Sequence, residues 1–563
     1  MVCLSAFTCL TFGGASLAQR YTDDSATQNP ASFESSISTA LKIGHSAEST
    51  PFAAPAAMNA FYDARGEKPY WVGSFGVRKA AKELTRKFET SWTHALNPER
   101  YHLSEIKALM ESRTPAQQAR LELLLTDGYI RYVQDLTGMR VNAASQGLEA
   151  EHWEQGMPAT QALSWLNSRG RIEQKLESIE PKGAVYNKFR QELVKLWQQE
   201  PEIYEAALPI EASGLIKPGQ AHKAIPTIRL RMGQTDPAQG ANVYDDTLAA
   251  AVMVFQKEHN IKPDGVIGAE TIQFMNRTRE DKIRQLMVNM ERMRWMPDNL
   301  GQTYIVVNIP SATLWAVDNG AVEFEMPVIV GRAERPTPAF RAEIMGMRLN
   351  PDWTIPPTIK RKDILPKIQQ DVGFLAGRNI SLSKVQDGRR VNIDPMSIDW
   401  ANISSRELHQ IDMVQVPSDD NPLGQYRVLM PNKHNIYLHD TNQPELFDKP
   451  SRALSSGCMR MKDPAKVAAF ILKTEEGWDQ ERITRTVASD RRLDVPVSRT
   501  MPVYAVYYTA WLTPDGEISY AADPYGADRK LYESLSAMGG LPGTDQSFAH
   551  EIAQNDQSTL ATR

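Results

Sequence analysis

The sequence predicts a multidomain α+β protein: a helical domain, a small three-helix unit, and a mainly-β domain with an insertion. Three observations predict it. At 563 residues the chain exceeds one domain, since domains run to roughly 100–200 residues. Apolar residues recur at helical spacing through residue 220, and β-branched, strand-length runs divided by Pro and Gly take over after residue 302. Hydrophobic content of 42% and charged content of 23% fit an ordinary globular chain. A net charge of −5 supplies no field that draws nucleic acid, which is set aside as a partner.

Residues 1–18, "MVCLSAFTCLTFGGASLA", carry no charge and end in Ser16-Leu17-Ala18. This small-x-small ending predicts a signal peptide. The positive n-region is missing, so the alternative is an uncleaved inner-membrane anchor, at the short limit for a span. Residues 19–57, rich in Ser, Thr, Ala and Asp, read as a flexible leader. Residues 58–220 form the helical domain. Ala80, Leu84, Phe88 and Trp92 make one stripe; Leu121, Leu124, Leu125, Tyr129, Tyr132, Val133 and Leu136 make a second.

Residues 225–276 are the small unit, with Asp245 or Asp246 as a helix cap and Pro263-Asp264-Gly265 as a turn before a helix from Ala269. His259 reads as structural. Residues 302–525 form the mainly-β domain, interrupted by a Pro-rich insertion at 350–415. "YRVLM", "NIYLHD" and "PVYAVYYTAWL" read as strands, "PAKVAAFILKT" as a helix opened by Pro464, and Asp515-Gly516 as a hairpin turn. Residues 536–563 are polar and read as a loose tail.

Cysteine usage singles out one position. Cys3 and Cys9 lie in the export segment, leaving Cys458 alone. An exported lone thiol has no intramolecular partner. Its neighbours Ser455, Ser456 and Gly457 are polar, unlike those of an inert core cysteine. His439, upstream on a predicted strand, is the base candidate that would turn the thiol into a nucleophile. Strand alternation puts Tyr437 and His439 on one face and Asp440 on the other. The group orienting His439 must then be a backbone carbonyl or a distant residue. Gly457 lets backbone approach a substrate, so amides of Gly457 and Cys458 are the expected oxyanion donors, with the Tyr437 hydroxyl as a third. Arg460 reads equally as a carboxylate ligand or a solvated arginine. No HExxH, CxxC pair or phosphate-binding loop occurs, so neither metal nor cofactor is expected.

The wider strings add a resemblance. "IYLHDT", a spacer and "RALSSGCMRM" resemble the catalytic signature of the L,D-transpeptidases (YkuD-type domain), with Ser456 in place of the second histidine of the common form. Ser-Ser-Gly-Cys is the form of the long, scaffold-containing periplasmic branch, YcbB-like. "FYDARGEKPYWVG" and "LLTDGYIRYVQDLTGMRV" resemble that branch's scaffold domain, and "LNPDWTIPPTIKRKDILPKI" the start of its lid insertion. Tyr244-Asp245, Thr247, Ala251-Val252, Phe255-Gln256, His259, Asp264-Gly265, Gly268 and Thr271 resemble the three-helix peptidoglycan-binding domain.

The resemblance implies an exported enzyme of the periplasm of a Gram-negative bacterium. It implies Cys458 as nucleophile, His439 as general base, backbone at Gly457 in the oxyanion hole, and Ser456, Arg460 and Trp353 at the substrate. The substrates implied are peptidoglycan tetrapeptide stems, as donor and acceptor. A thioester acyl-enzyme would yield 3→3 diaminopimelate cross-links, and carbapenems would acylate the cysteine. No cofactor is implied; other cell-wall synthesis enzymes are the expected protein partners. Rival readings are an L,D-carboxypeptidase, an enzyme joining or severing a lipoprotein–peptidoglycan link, and a non-catalytic wall-binding protein.

Overall fold

The computed structural model describes residues 35–39, 52–73, 76–199, 209–234, 242–259, 261–297, 299–449, 451–513 and 515–543. The predicted export segment, most of the leader and the last part of the tail lie outside them. Among the described residues no helix is long and apolar enough to cross a membrane.

The helical domain is organised by helix α1, Pro115–Thr137. Thr114 caps it, and Pro115 takes the first position, where no amide is needed. The whole Leu121–Leu136 stripe is buried. Glu122 is buried on the same helix but accepts the amides of Tyr70, Trp71 and Val72 at 2.6, 2.8 and 2.9 Å, so an entering segment is pinned where it crosses. The other predicted stripe breaks. The helix over Lys79–Glu89 ends before Trp92, which sits in a 3₁₀ turn and joins a different core from Leu84 and Phe88. Hydroxyls of Thr90 and Thr93 bond carbonyls of the preceding turn, offering the backbone an alternative to a continuing helix.

In the small unit Asp245 is the cap, accepting the Leu248 amide at 2.9 Å. Helices span Ile225–Arg231, Asp246–Glu258 and Ala269–Met275 around a core of their own. His259 Nδ1 donates to the Phe255 carbonyl at 2.8 Å, and its ring packs between Phe255 and Phe274, a structural role.

The third domain is a nine-stranded sheet that closes on itself. Its strands are β1 Thr303–Asn308, β2 Thr313–Asp318, β3 Ala321–Gly331, β4 Phe340–Leu349, β5 Tyr426–Leu429, β6 Leu438–His439, β7 Ala453–Ser455, β8 Met459–Met461 and β9 Leu493–Val506. The order is β7-β3-β8-β6-β5-β4-β9-β1-β2, and β2 also pairs with β3. Leu438, Met459, Met461, Val428 and Met347 face one core, with helix α3, Pro464–Leu472, packed there. "NIYLHD" is a strand only at Leu438–His439. "PVYAVYYTAWL" divides between the end of β9 and a short strand at Ala510–Leu512, which forms the predicted hairpin with Ile518–Tyr520.

Between β4 and β5 the chain leaves the sheet and builds the insertion. It has a four-stranded sheet, ordered 353–354, 412–415, 380–386, 389–392, and a core that includes Ile355, Ile368, Leu382, Trp400 and Met413. The insertion thus emerges from two neighbouring strands beside β6.

Helix α2, Arg279–Met293, had no assignment in the sequence. It locks the helical domain to the sheet. Its Glu291 is buried between Arg140 and Arg294, with Nε and Nη2 at 2.6 and 2.7 Å, and accepts the Trp295 indole at 3.0 Å. Burial opposes ionisation, but the two guanidiniums win and hold this carboxyl down at about 2. A depressed pKa means stability that is complete above the ordinary carboxylate range and lost as pH falls through about 2. Glu291→Ala leaves two buried cations facing each other, and is expected to cost about 3–5 kcal/mol in denaturant unfolding.

The expected loose tail over 536–563 is corrected at its start. The Gly540 carbonyl accepts Arg140 Nη1 at 2.7 Å, the Gly543 carbonyl accepts the Trp197 indole at 3.2 Å, and Leu541 is buried. Polar composition misleads here because it is the backbone that docks.

Candidate active site

Sheet register assembles the site. β6 pairs parallel with β8, Leu438 opposite Met459 and His439 opposite Arg460. β5 pairs antiparallel with β6, Arg427 opposite His439. Arg348 on β4 lies opposite Arg427, and Asp494 on β9 opposite Arg348. Leu438, Met459, Val428 and Met347 all face the core. By alternation the row Asp494–Arg348–Arg427–His439–Arg460 therefore faces the other way. Cys458, just before β8, and Tyr437, just before β6, come level with each other on that same side.

The turn carrying Cys458 is locked from within. Ser455 Oγ accepts the Gly457 amide at 3.0 Å and donates to the Cys458 carbonyl at 2.6 Å. Thr337 Oγ1 donates to the Gly457 carbonyl at 2.7 Å. Gly457 has φ +118°, and a Cβ there would lie 3.2 Å from the Ile436 side chain, so glycine is required. One expectation fails. The Gly457 amide is spent on Ser455 and is not an oxyanion donor; its role is conformational. The Cys458 amide has no acceptor among the described residues. The Tyr437 ring lies under the Arg427 guanidinium, 3.7 Å from its centroid.

His439 is oriented by its neighbour's backbone. Nδ1 sits 2.5 Å from the Asp440 carbonyl, so Nδ1 carries the proton and Nε2 keeps its lone pair. The Asp440 carboxylate accepts the amides of Gln425 and Thr441 at 2.8 and 2.7 Å instead. Burial, with Arg460 and Arg427 nearby, pushes His439 down to about 3. The imidazole is thus neutral at any physiological pH. Burial raises the Cys458 thiol, opposed by the Tyr437 backbone and by Arg427 and Arg460. The half-buried sulfur has the Asn435 carbonyl at 3.9 Å. The resting pair is a neutral thiol and a neutral base, with cations placed to favour a thiolate once charge develops.

The insertion is latched to this turn. Arg335 bridges Asp363 of the insertion at 2.6 and 3.2 Å and donates to Ser456 Oγ at 2.9 Å. Ser456 therefore contacts the latch in this structure. Asp363→Asn weakens a half-exposed pair and is expected to raise opening of the insertion from this turn about two- to fivefold, read as faster amide exchange over residues 357–370. Trp353 pairs with Gln415 and packs against the insertion's core. Arg460 Nη1 donates to Thr441 Oγ1 and Gln443 Oε1, each at 3.2 Å, not to a carboxylate.

Sequence reasoning missed Ser455, Thr337, Arg335 and Arg427. Two left a signal: Ser455 lies in the polar run before Cys458, and in "YRVLM" Arg427 alternates with Tyr426 and Val428 on the strand before the histidine. Among the described residues no group of three or more His, Cys, Asp or Glu side chains is arranged for a metal.

Comparison with known proteins agrees in order along the chain. Residues 56–193 match the "Scaffold domain", 231–275 the "Putative peptidoglycan binding domain", and 302–487 the "L,D-transpeptidase catalytic domain" of the YkuD family. A "Putative L,D-transpeptidase" of Haemophilus influenzae is 35% identical over 259 residues, covering 46% of this chain and 51% of the relative. The chain thus spans about half the length of the curated relative it matches. An L,D-transpeptidase structure from Mycobacterium smegmatis is 12% identical, covering 36% of this chain and 58% of its own, with a TM-score of 0.18. One from Xylanimonas cellulosilytica is 12% identical over 53% of this chain and 99% of its own, again with a TM-score of 0.18. By these matches the chain is similar to YkuD-family L,D-transpeptidases over residues 302–487, and carries matches to a scaffold domain and a peptidoglycan-binding domain ahead of that region.

Proposed function

We propose that the protein is a cysteine-dependent L,D-transpeptidase that forms 3→3 cross-links in peptidoglycan. The observation that supports this most is the placing of Cys458 and a neutral, carbonyl-oriented His439 on one sheet face inside a YkuD-type domain. The donor is a tetrapeptide stem. Cys458 Sγ attacks the carbonyl of the L-centre of diaminopimelate as His439 Nε2 takes the thiol proton. The Cys458 amide holds the oxyanion. His439 returns the proton to the departing amine, D-alanine leaves, and a thioester remains. The side-chain amine of diaminopimelate on a second stem then attacks the thioester. His439 takes the amine proton and returns it to the sulfur.

The small three-helix domain would hold sacculus near this site and raise its local concentration. Export to the periplasm, by signal peptide or inner-membrane anchor, and contact with other cell-wall enzymes belong to the same reading. So does acylation of Cys458 by a carbapenem. Water in place of the acceptor amine would give an L,D-carboxypeptidase by the same first half-reaction; a lipoprotein-linking enzyme would differ only in its acceptor. Incubation of the purified protein with tetrapeptide muropeptides separates them. Cross-linked dimers are expected. Tripeptide monomers alone would mean a hydrolase, and unchanged tetrapeptide would overturn the enzymatic reading.

A further inference from the structure

The row of charges across the sheet is unevenly balanced. At one end Arg348 is neutralised by Asp494, with Nε and Nη2 donating at 2.6 and 2.7 Å. Arg427 and Arg460, which lie on either side of His439, have no carboxylate within ion-pair distance among the described residues. Each also has a buried Nε without an acceptor. Burial lowers the pKa of both, a sign of cations taken from water without a counter-ion. Guanidinium stays charged even so, and a part-buried unpaired cation costs stability. Two of them flanking one catalytic base form a ready receptor for an anion, and the fork of each suits a carboxylate.

Which carboxylate follows from the proton path. His439 must hand its proton to the nitrogen of the residue that leaves. In an α-amino acid the carboxylate carbon is two bonds from that nitrogen, so a group held against His439 on both sides meets this carboxylate. We propose that Arg427 and Arg460 together bind the α-carboxylate of the leaving C-terminal residue of the donor stem. This rests on the reading of Cys458 as the nucleophile. It makes the free acid at the stem's end a specificity determinant, and Arg427 a binding residue beside Arg460.

The test compares two tetrapeptide donors, one ending in D-alanine and one in D-alanine carboxamide, by rate of acyl-enzyme formation in intact-mass spectra. Wild type is expected to favour the acid about 10- to 100-fold, the worth of a charge-assisted hydrogen bond. In Arg427→Met and in Arg460→Met the ratio is expected to fall toward one, through a raised KM for the acid. Loss of the cation's help to the thiolate affects both donors equally and cancels in the ratio. Arg427→Lys keeps a charge at the site without the fork, and should give an intermediate ratio even if the methionine variant fails to fold. An equal preference in wild type, or a ratio unchanged in the folded variants, would overturn the proposal. Acylation by neither donor in wild type would overturn it together with the nucleophile assignment, and so is distinguishable from failure of the carboxylate site alone.

Discussion

Cys458→Ala is expected to lower cross-link formation on the order of 10⁴-fold or more, the scale seen when a covalent nucleophile is removed. The thiol is the nucleophile the turn presents, because Ser455 Oγ is committed to both the Gly457 amide and the Cys458 carbonyl, and Ser456 Oγ accepts from Arg335. The fold should not change. Ser455, Thr337 and Gly457 hold the turn, and the half-buried cysteine side chain forms no part of the hydrophobic core. The melting temperature and sacculus binding should therefore match wild type. Muropeptide analysis reads the effect, and cross-linking near wild-type level would remove Cys458 from the mechanism.

His439→Ala is expected to cost roughly 10²–10⁴-fold in kcat/KM, the usual range for a positioned acid–base group. The larger signature lies in the pH dependence. With its folded pKa near 3, His439 remains unprotonated from neutral pH down to about pH 4. Wild-type acylation should therefore show no acid limb at the ordinary histidine pKa of about 6.5. Stability behaves differently. The unfolded chain takes up the proton first, so the contribution of His439 to stability falls as pH drops from about 6.5 to about 3 and is level outside that window. In His439→Ala that slope should be reduced. A wild-type acid limb centred near 6.5, with the folded state intact, would contradict the account of a buried neutral base.

Much of the architecture was legible because its causes are local. The Leu121–Leu136 stripe, the Asp245 cap and the Asp515-Gly516 turn depend on residues within a few positions of one another. β9 was half hidden. Its first part, "LDVPVSRTM", contains a proline at the register shift between Pro496 and Met501, so it read as no strand at all. The site divided along the same line. Cys458, His439 and the setting aside of the Asp440 side chain came from motif and alternation. The orienting carbonyl belongs to Asp440 itself, which strand alternation alone leaves open among all nearby carbonyls. The oxyanion assignment at Gly457 failed because a side chain two residues away, Ser455, takes its amide. Arg427 and Arg335 reach the site only through pairing with distant segments, which no local pattern encodes.

The most direct measurement is the intact mass of the protein after brief mixing with a tetrapeptide muropeptide, followed by peptide mapping. A thioester mechanism predicts an adduct equal to the donor less its terminal D-alanine, located on Cys458, and cleared when an acceptor stem is added. An adduct on another residue, or turnover with no adduct at any time, would contradict a thioester at Cys458.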